Sequence, residues 1–439
     1  MSIDFQGLSL NLASRFAGSE FAEKYGLRKP AEKMAYTSTK TGFKMATKAI
    51  ALFKKQSKSK GAGERAEQKK TDGLFDLTLS EEQQMIRDSM QGYATEVIRQ
   101  QAIEADENSK LPEGFMDEAQ ALGINFFSVP ESLGGAGEYS PLTSALVAED
   151  LALGDMGLAL ATLAPASVVN AISRWGSKAQ QETYLPDFCG EQGVKATIAV
   201  QEPHALFSPE KLKTTAKKSG NGYVISGVKT MVPFGGDASL YLIAAEYKGE
   251  PRIFIVPADK QGLSWKDGPA MGLRAAELGT LKLDKVKVGN LALLGDHSDD
   301  ENDFDYQEFI NLGQLSWCAM AIGCCQAATD YCIQYANERE AFGEPISHRQ
   351  AVAFMIATMA TETEGMRLLT WRAASLAEQG KKFHKETFLA HHLCVEKAMQ
   401  IGTDAVQILG GHGFTKEHPC ERYYRDLRAL SAITSGLHL

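Results

Sequence analysis

"NEREAFGEPISHRQAVAF" (residues 337–354) and "DAVQILGGHGF" (404–414) are the stretches on which the reading of this chain turns. In the second, an apolar helix runs into Gly410-Gly411, with Gln407 one turn earlier and His412-Gly413-Phe414 after it. Paired glycines let a flat ligand or a second backbone come close, and the Gln407 amide can hydrogen-bond a polar ligand edge. The same residues equally suit a helix C-cap at a subunit contact.

Along its length the chain changes pattern three times. "LTLSEEQQMIRDSMQGYATEVI" (77–98) has Ser80 as an N-cap, acids in its first turn and apolar residues at helical spacing. Helical stretches continue to about residue 194. Five strand candidates follow, "KATIAVQEP", "GYVISGVKTMV", "SLYLIAAEY", "RIFIVPAD" and "TLKLDKVKV", separated by Gly, Asn or Lys-rich turns. After "DHSDDENDFD" the pattern is helical again. The expected fold is α+β and multidomain: an arm (1–75), an N-terminal helical domain (76–194), a middle β-barrel-like domain (195–300) and a C-terminal helical bundle (301–439).

The 439 residues exceed what one hydrophobic core usually organises, which fits several packed units. A net charge of -9 argues against a nucleic-acid partner. Seven cysteines, an odd number and mostly in helical sequence, read as buried thiols of a reduced, cytoplasmic protein. No apolar run approaches the roughly 18–20 residues of a bilayer span, and the first residues lack a secretory pattern. The arm is different: residues 28–70 hold thirteen Lys/Arg against Glu32, Glu64 and Glu67. Within it, 40–55 places Phe43, Ala46, Ile50 and Phe53 on one helical face and lysines on another. Such a helix suits peripheral contact with the anionic inner face of a membrane, or packing on the protein's own body.

Two tempting motifs have plainer readings. "LGGAGEYS" (133–140) resembles a dinucleotide loop, but lacks a preceding strand and an acidic partner, and reads as a turn. His391 and Cys394, with His384, share a helical face, yet without a matching cluster elsewhere they read as helix surface, and no metal is expected. There is neither a G-x-S-x-G elbow nor a Walker loop.

Together, 337–354 and 404–414 resemble the C-terminal domain of the acyl-CoA dehydrogenase family. "VPESLGGAG", "WGSKAQQETYLPDFCGEQ", "QEP", "GYVISGVKTMVPFGG", "GLRAAELGTLKLDKVKV" and "YRD" extend the resemblance from about residue 77 onward. It implies α,β-dehydrogenation of an acyl-CoA with FAD as hydride acceptor, as in fatty acid oxidation. It further implies a dimer or tetramer and an electron-transfer flavoprotein-like acceptor. In the R-x-x-F-G motif, Arg339 is implied to reach the FAD pyrophosphate, with Phe342 and Gly343 in place. Gln350 matches a further flavin contact, and Gln407, Ile408, Leu409, Gly410 and Gly411 match the stretch that meets the adenine half across a dimer.

The middle domain departs from the family pattern. Where the family has T-E-P-G-x-G-S-D, this chain has Gln201 and then Glu202-Pro203-His204-Ala205-Leu206-Phe207-Ser208. Where the family has W-I-T or W-I-S beside the flavin ring, it has Met231-Val232-Pro233. Pro233 supplies neither a hydroxyl nor an N–H. The implied catalytic carboxylate is also missing. Family spacing from Arg425 leads to Thr434, and no Asp or Glu follows Asp426. The alternative position on the first bundle helix is Gly313, with Glu308 the nearest carboxylate candidate.

The chain also ends before the family's last bundle helix would. Four readings follow: a working dehydrogenase with an unrecognised base, a catalytically degenerate subunit of a hetero-oligomer, a fragment cut at Leu439, and an oxidase or monooxygenase.

Overall fold

The computed structural model describes residues 78–295, 304–433 and 436–439. The basic arm, with its 40–55 face, and Thr434 lie outside the described residues.

Six helices form the first region: α1 (Glu81–Tyr93), α2 (Arg99–Asn108), α3 (Phe115–Ala121), α4 (Pro141–Ala152), α5 (Met156–Trp175) and α6 (Lys178–Tyr184). Ser80 caps α1 as its sequence predicts. Its hydroxyl accepts the Gln83 N–H, and the Gln83 side chain accepts the Ser80 N–H, each at 3.1 Å. Asp155 caps α5 through the N–H groups of Gly157 and Leu158. The structure corrects one expectation here. Helix α5 is long and apolar enough to cross a bilayer, yet nearly all of it is buried within the protein. Its alanines, Gly157, Thr162 and Ser167 break up the apolar run to the eye, while their small size lets neighbours pack closely.

The middle region is a curled seven-stranded sheet: β1 (Ala196–Ala199), β2 (Thr215–Ser219), β3 (Gly222–Val232), β4 (Leu240–Tyr247), β5 (Glu250–Pro257), β6 (Leu263–Asp267) and β7 (Gly279–Val288). The path runs β1-β4-β2-β3-β7-β6, with β5 also paired to β4. β1 joins β4 in parallel, and the β2–β3, β3–β7, β6–β7 and β4–β5 pairs are antiparallel. Strands β2 and β6 are additions to the five expected. They are short and largely polar, and their pairing with β3 and β7 comes from tertiary structure rather than from an alternating pattern.

The third region holds α7 (Tyr306–Glu338), a small hairpin of β8 (Glu340–Ala341) and β9 (Glu344–Pro345), then α8 (Gln350–Glu378), α9 (His384–Leu409) and the short α10 (Cys420–Leu427). Helix α7 is apolar around its circumference and packs against α4, α8 and α9, the burial such a helix requires. A Cβ at Gly323 would collide with the Glu149 carbonyl, so glycine permits the close approach of α7 to α4. Buried polar links fix the regions together. Arg367 Nε and Trp371 Nε1 donate to the two oxygens of Glu149 at 2.8 and 3.0 Å. Arg425 grips Asp106 through both terminal nitrogens, and the Asp426 carboxylate accepts the Leu273 N–H at 2.6 Å. Past α10, the described residues hold one 3-10 turn (Arg428–Ser431) and the segment 436–439.

His384 and Cys394 do not converge: His384 Nδ1 lies 3.2 Å from Asn311 Oδ1, and Cys394 is buried. Residues 133–140 follow a 3-10 turn (Glu131–Leu133) with no strand before them.

Candidate functional site

One end of the helical bundle collects the residues implied to hold the nucleotide half of a flavin. Helix α7 stops at Glu338, and Arg339 takes an extended conformation beyond it. The β8–β9 turn follows, with Phe342 at φ 57° and Gly343 at φ 82°, and the Phe342 ring is almost wholly exposed. Arg339 is exposed, and its guanidinium has no side-chain partner among the described residues. A planar cation held free in this way suits a diphosphate. Gln350 is exposed at the first residue of α8.

The end of α9 reaches the same place. Gly410 breaks the helix at φ 58°, ψ −128°, a conformation essentially reserved for glycine, and a Cβ at Gly410 or Gly411 would meet only open space. Tyr335, one turn before Arg339, joins the two ends. Its hydroxyl lies 3.5 Å from the Leu409 carbonyl oxygen and 2.8 Å from His412 Nδ1. Gln407 is exposed on the last turn of α9, whereas Ile408 and Leu409 turn into the bundle core. Of 407–411, the side chain of Gln407 and the bare backbone at Gly410-Gly411 are open to a ligand.

The middle-domain loops form a second group. Gln201 follows β1, and its Nε2 donates to the Ala432 carbonyl at 3.2 Å, while Oε1 is buried without a partner. Met231 is partly exposed at φ 54°, unusual for a residue with a Cβ, and Pro233 is buried. Beneath this loop Lys229 Nζ bonds Glu202 Oε1 at 2.8 Å and the Val200 carbonyl at 3.0 Å, all inside the sheet. Burial alone would raise Glu202, but Lys229 and the N–H groups of Lys213 and Thr214 outweigh it and hold the carboxyl at about 2. Burial lowers Lys229 to about 8 against the pull of Glu202, so the pair is charged at neutral pH. Residues 203–208 pack on themselves, with the His204 and Phe207 rings 5.5 Å apart and Leu206 fully exposed.

No carboxylate stands free at the positions where a base is expected, among the described residues. Gly313 is buried within α7. Glu308 accepts from Arg174 Nη2 at 3.0 Å in a partly exposed ion pair.

The segment after α10 supplies what the sequence reading missed. It is bonded to Gln201 at Ala432, passes the Ile198 carbonyl of β1 at Gly436, and buries Leu437, His438 and Leu439. His438 and Leu439 line a cavity of about 410 Å³ that also meets α1, α4, α5 and α7. His438 sits edge-on to Trp175, ring centroids 4.9 Å apart, and neither ring nitrogen has a hydrogen-bond partner. A lone histidine between Leu437 and Leu439, in a stretch too short to set a periodicity, is not marked by anything local in the sequence.

The residues present fit a flavin nucleotide in two respects: an open glycine cradle beside an unpaired guanidinium, and an orphaned buried acceptor, Gln201 Oε1, at the ring loop. Comparison with known proteins agrees. Models of the N-terminal, middle and C-terminal domains of acyl-CoA dehydrogenases match residues 80–192, 197–286 and 305–436. Cyclohex-1-ene-1-carbonyl-CoA dehydrogenase of Geobacter metallireducens is 33% identical over 365 residues, covering 82% of this chain and 95% of that relative. The caffeyl-CoA reductase-Etf complex subunit CarC of Acetobacterium woodii is 32% identical, covering 81% and 95%. Among solved structures, butyryl-CoA dehydrogenase from Megasphaera elsdenii superposes with a TM-score of 0.75 at 26% identity, covering 82% of this chain and 96% of that one. The chain belongs to the acyl-CoA dehydrogenase family.

Proposed function

We propose that this protein removes two hydrogens from Cα and Cβ of an acyl-CoA thioester, with FAD as the hydride acceptor. The observation that carries this reading is the unpaired Arg339 beside the open Gly410-Gly411 cradle, in a chain matching all three family domains. FAD, when bound, would supply the two-electron acceptor for the hydride leaving the β-carbon. Arg339 would hold the diphosphate, and the bare backbone at Gly410-Gly411 would admit the adenosine half. Phe207 stands where the family loop has serine, so that position offers no hydroxyl. Gln201 Oε1 would offer the flavin a buried acceptor, and the Nε2 bond to Ala432 keeps that oxygen in place.

Exposed Phe342, Phe354, Phe388 and Phe414 on the bundle support association with a second subunit, homo- or hetero-oligomeric, that completes the nucleotide site. The similarity to CarC, named as part of a complex with Etf, supports an electron-transfer flavoprotein as acceptor. Seven unpaired cysteines support a cytoplasmic location, and the basic face of 40–55 supports peripheral membrane contact.

A second reading is a non-catalytic subunit. It is favoured by the missing carboxylate at Thr434 and Gly313 together with the engagement of Glu308 by Arg174. Mass spectrometry of acyl-CoAs incubated with the flavin-loaded protein and an artificial electron acceptor separates the two. Conversion to the 2-enoyl-CoA supports dehydrogenation, and unchanged thioesters with bound flavin support the subunit reading.

A further inference from the structure

The outer face of the sheet carries a charge pattern that dehydrogenation does not use. Residues directly opposite each other in paired strands share a face, so the register sets Lys217 of β2, Val224 of β3 and Lys287 of β7 in one row. It likewise aligns Val228, Lys282 and Ser264. Lys266 pairs with Thr280 one row further on, where the Thr230 and Thr280 hydroxyl oxygens lie 3.5 Å apart. A bulge between these rows exposes Asp284 and Lys285. The lysines are all exposed, while the alternate residues Tyr223, Ile225, Leu281, Leu283 and Val286 point into the core.

None of Lys217, Lys266, Lys282, Lys285 and Lys287 has an ion pair or a side-chain hydrogen bond among the described residues. The carboxylates on this face are Asp284, in the bulge, and Glu246, which accepts the Gly249 N–H. The excess of cations runs against a net charge of -9 for the chain. Lys217 and Lys287 are two strand spacings apart, about 10 Å, which is close to the screening length in physiological salt, so their fields reinforce. Valine, serine and threonine lie between the charges, with neither arginine nor an aromatic ring. Protein interfaces are built around arginine and aromatic anchors and are poor in lysine. A compact ammonium on a flexible stem suits a surface of diffuse negative charge instead, such as a layer of anionic headgroups.

We propose that the outer face of β2, β3, β6 and β7 rests on an anionic bilayer surface, with Lys217, Lys266, Lys282, Lys285 and Lys287 toward the headgroups. This contact lies on the middle domain, so it goes beyond the membrane contact proposed for 40–55 and does not depend on it. It requires no flavin, and so stands or falls separately from dehydrogenation.

Flotation of the full-length protein with vesicles of phosphatidylcholine alone, and of an equal mixture with phosphatidylglycerol, tests this. The unaltered protein is expected to float with the mixed vesicles only. A lysine near an anionic surface is worth roughly fivefold in binding. Replacing Lys217, Lys266, Lys282 and Lys287 together by glutamine should weaken partition onto the mixed vesicles by roughly twentyfold or more, the effect of two lysines in contact. Replacing Lys178, Lys381, Lys382 and Lys385, exposed lysines outside the sheet, removes the same charge and should leave partition nearly unchanged. Unchanged partition of the sheet variant overturns the proposal, as does an equal loss in the second variant, which would make the effect one of net charge. Failure of the unaltered protein to bind the mixed vesicles also overturns it, and would leave this face to an acidic protein. If the quadruple sheet variant does not fold, Lys217→Gln and Lys287→Gln tested singly decide, each expected to weaken partition roughly fivefold.

Discussion

Gln201 Nε2 donates to the Ala432 carbonyl oxygen at 3.2 Å, tying the loop after β1 to the segment that leads to His438. The bond leaves Gln201 Oε1 as a buried acceptor with no partner. Gln201→Leu removes both atoms at similar volume. Equilibrium dialysis should show FAD affinity falling by roughly tenfold, the loss of about one good hydrogen bond. Unchanged affinity would mean the flavin ring does not meet this residue.

Arg339 makes no ion pair among the described residues, so its replacement has little to disturb in the fold. Arg339→Gln should change unfolding free energy by less than about 0.5 kcal/mol. It should nevertheless weaken FAD binding, and Arg339→Lys should restore only part of the loss, because a point charge lacks the bidentate fork. Full rescue by lysine would contradict the assigned diphosphate contact.

Glu202 and Lys229 form the opposite case, a pair sealed inside the sheet. Lys229→Met leaves a carboxylate buried without its cation and should cost about 3–5 kcal/mol in urea unfolding. The folded carboxyl sits at about 2 against an ordinary 4.5, so its contribution is present above pH 4.5 and is lost as pH falls toward 2. The unaltered protein should show this acid-side decline. In Lys229→Met, with the cation gone and burial left to raise the carboxyl, that decline should shrink or reverse, because protonation then neutralises an unpaired buried carboxylate.

Much of this architecture is legible from residue order. The helix, sheet, helix succession follows from spacing alone, and the Ser80 cap is explicit in its Ser-x-x-Gln pattern. Strands β2 and β6 are not, because "TAKKS" and "LSWKD" gain their identity from neighbours. At the site, Arg339, Gln350 and Gln407 are readable as exposed motif positions. Ile408 and Leu409 belong to the same motif yet face the core, a distinction only packing makes. His438 is illegible for the same reason, since its burial depends on Trp175, Phe309 and Asn170 from distant parts of the chain.

Glu308 is the residue on which an unrecognised base can be sought. Its partly exposed pairing with Arg174 is worth no more than about 1 kcal/mol. Glu308→Gln should therefore leave both stability and the rate of flavin reduction by acyl-CoA nearly unchanged. A rate loss of a hundredfold or more, about what removal of a general base costs, would make Glu308 the proton acceptor.

Everything proposed for the site depends on this chain holding FAD and passing it hydride from an acyl-CoA. The visible absorption spectrum of the purified protein, recorded anaerobically before and after addition of acyl-CoAs of several lengths, reads both at once. A flavin spectrum that bleaches with at least one thioester is expected. A protein that binds no flavin when FAD is supplied, or one whose bound flavin no thioester reduces, would contradict the proposed function.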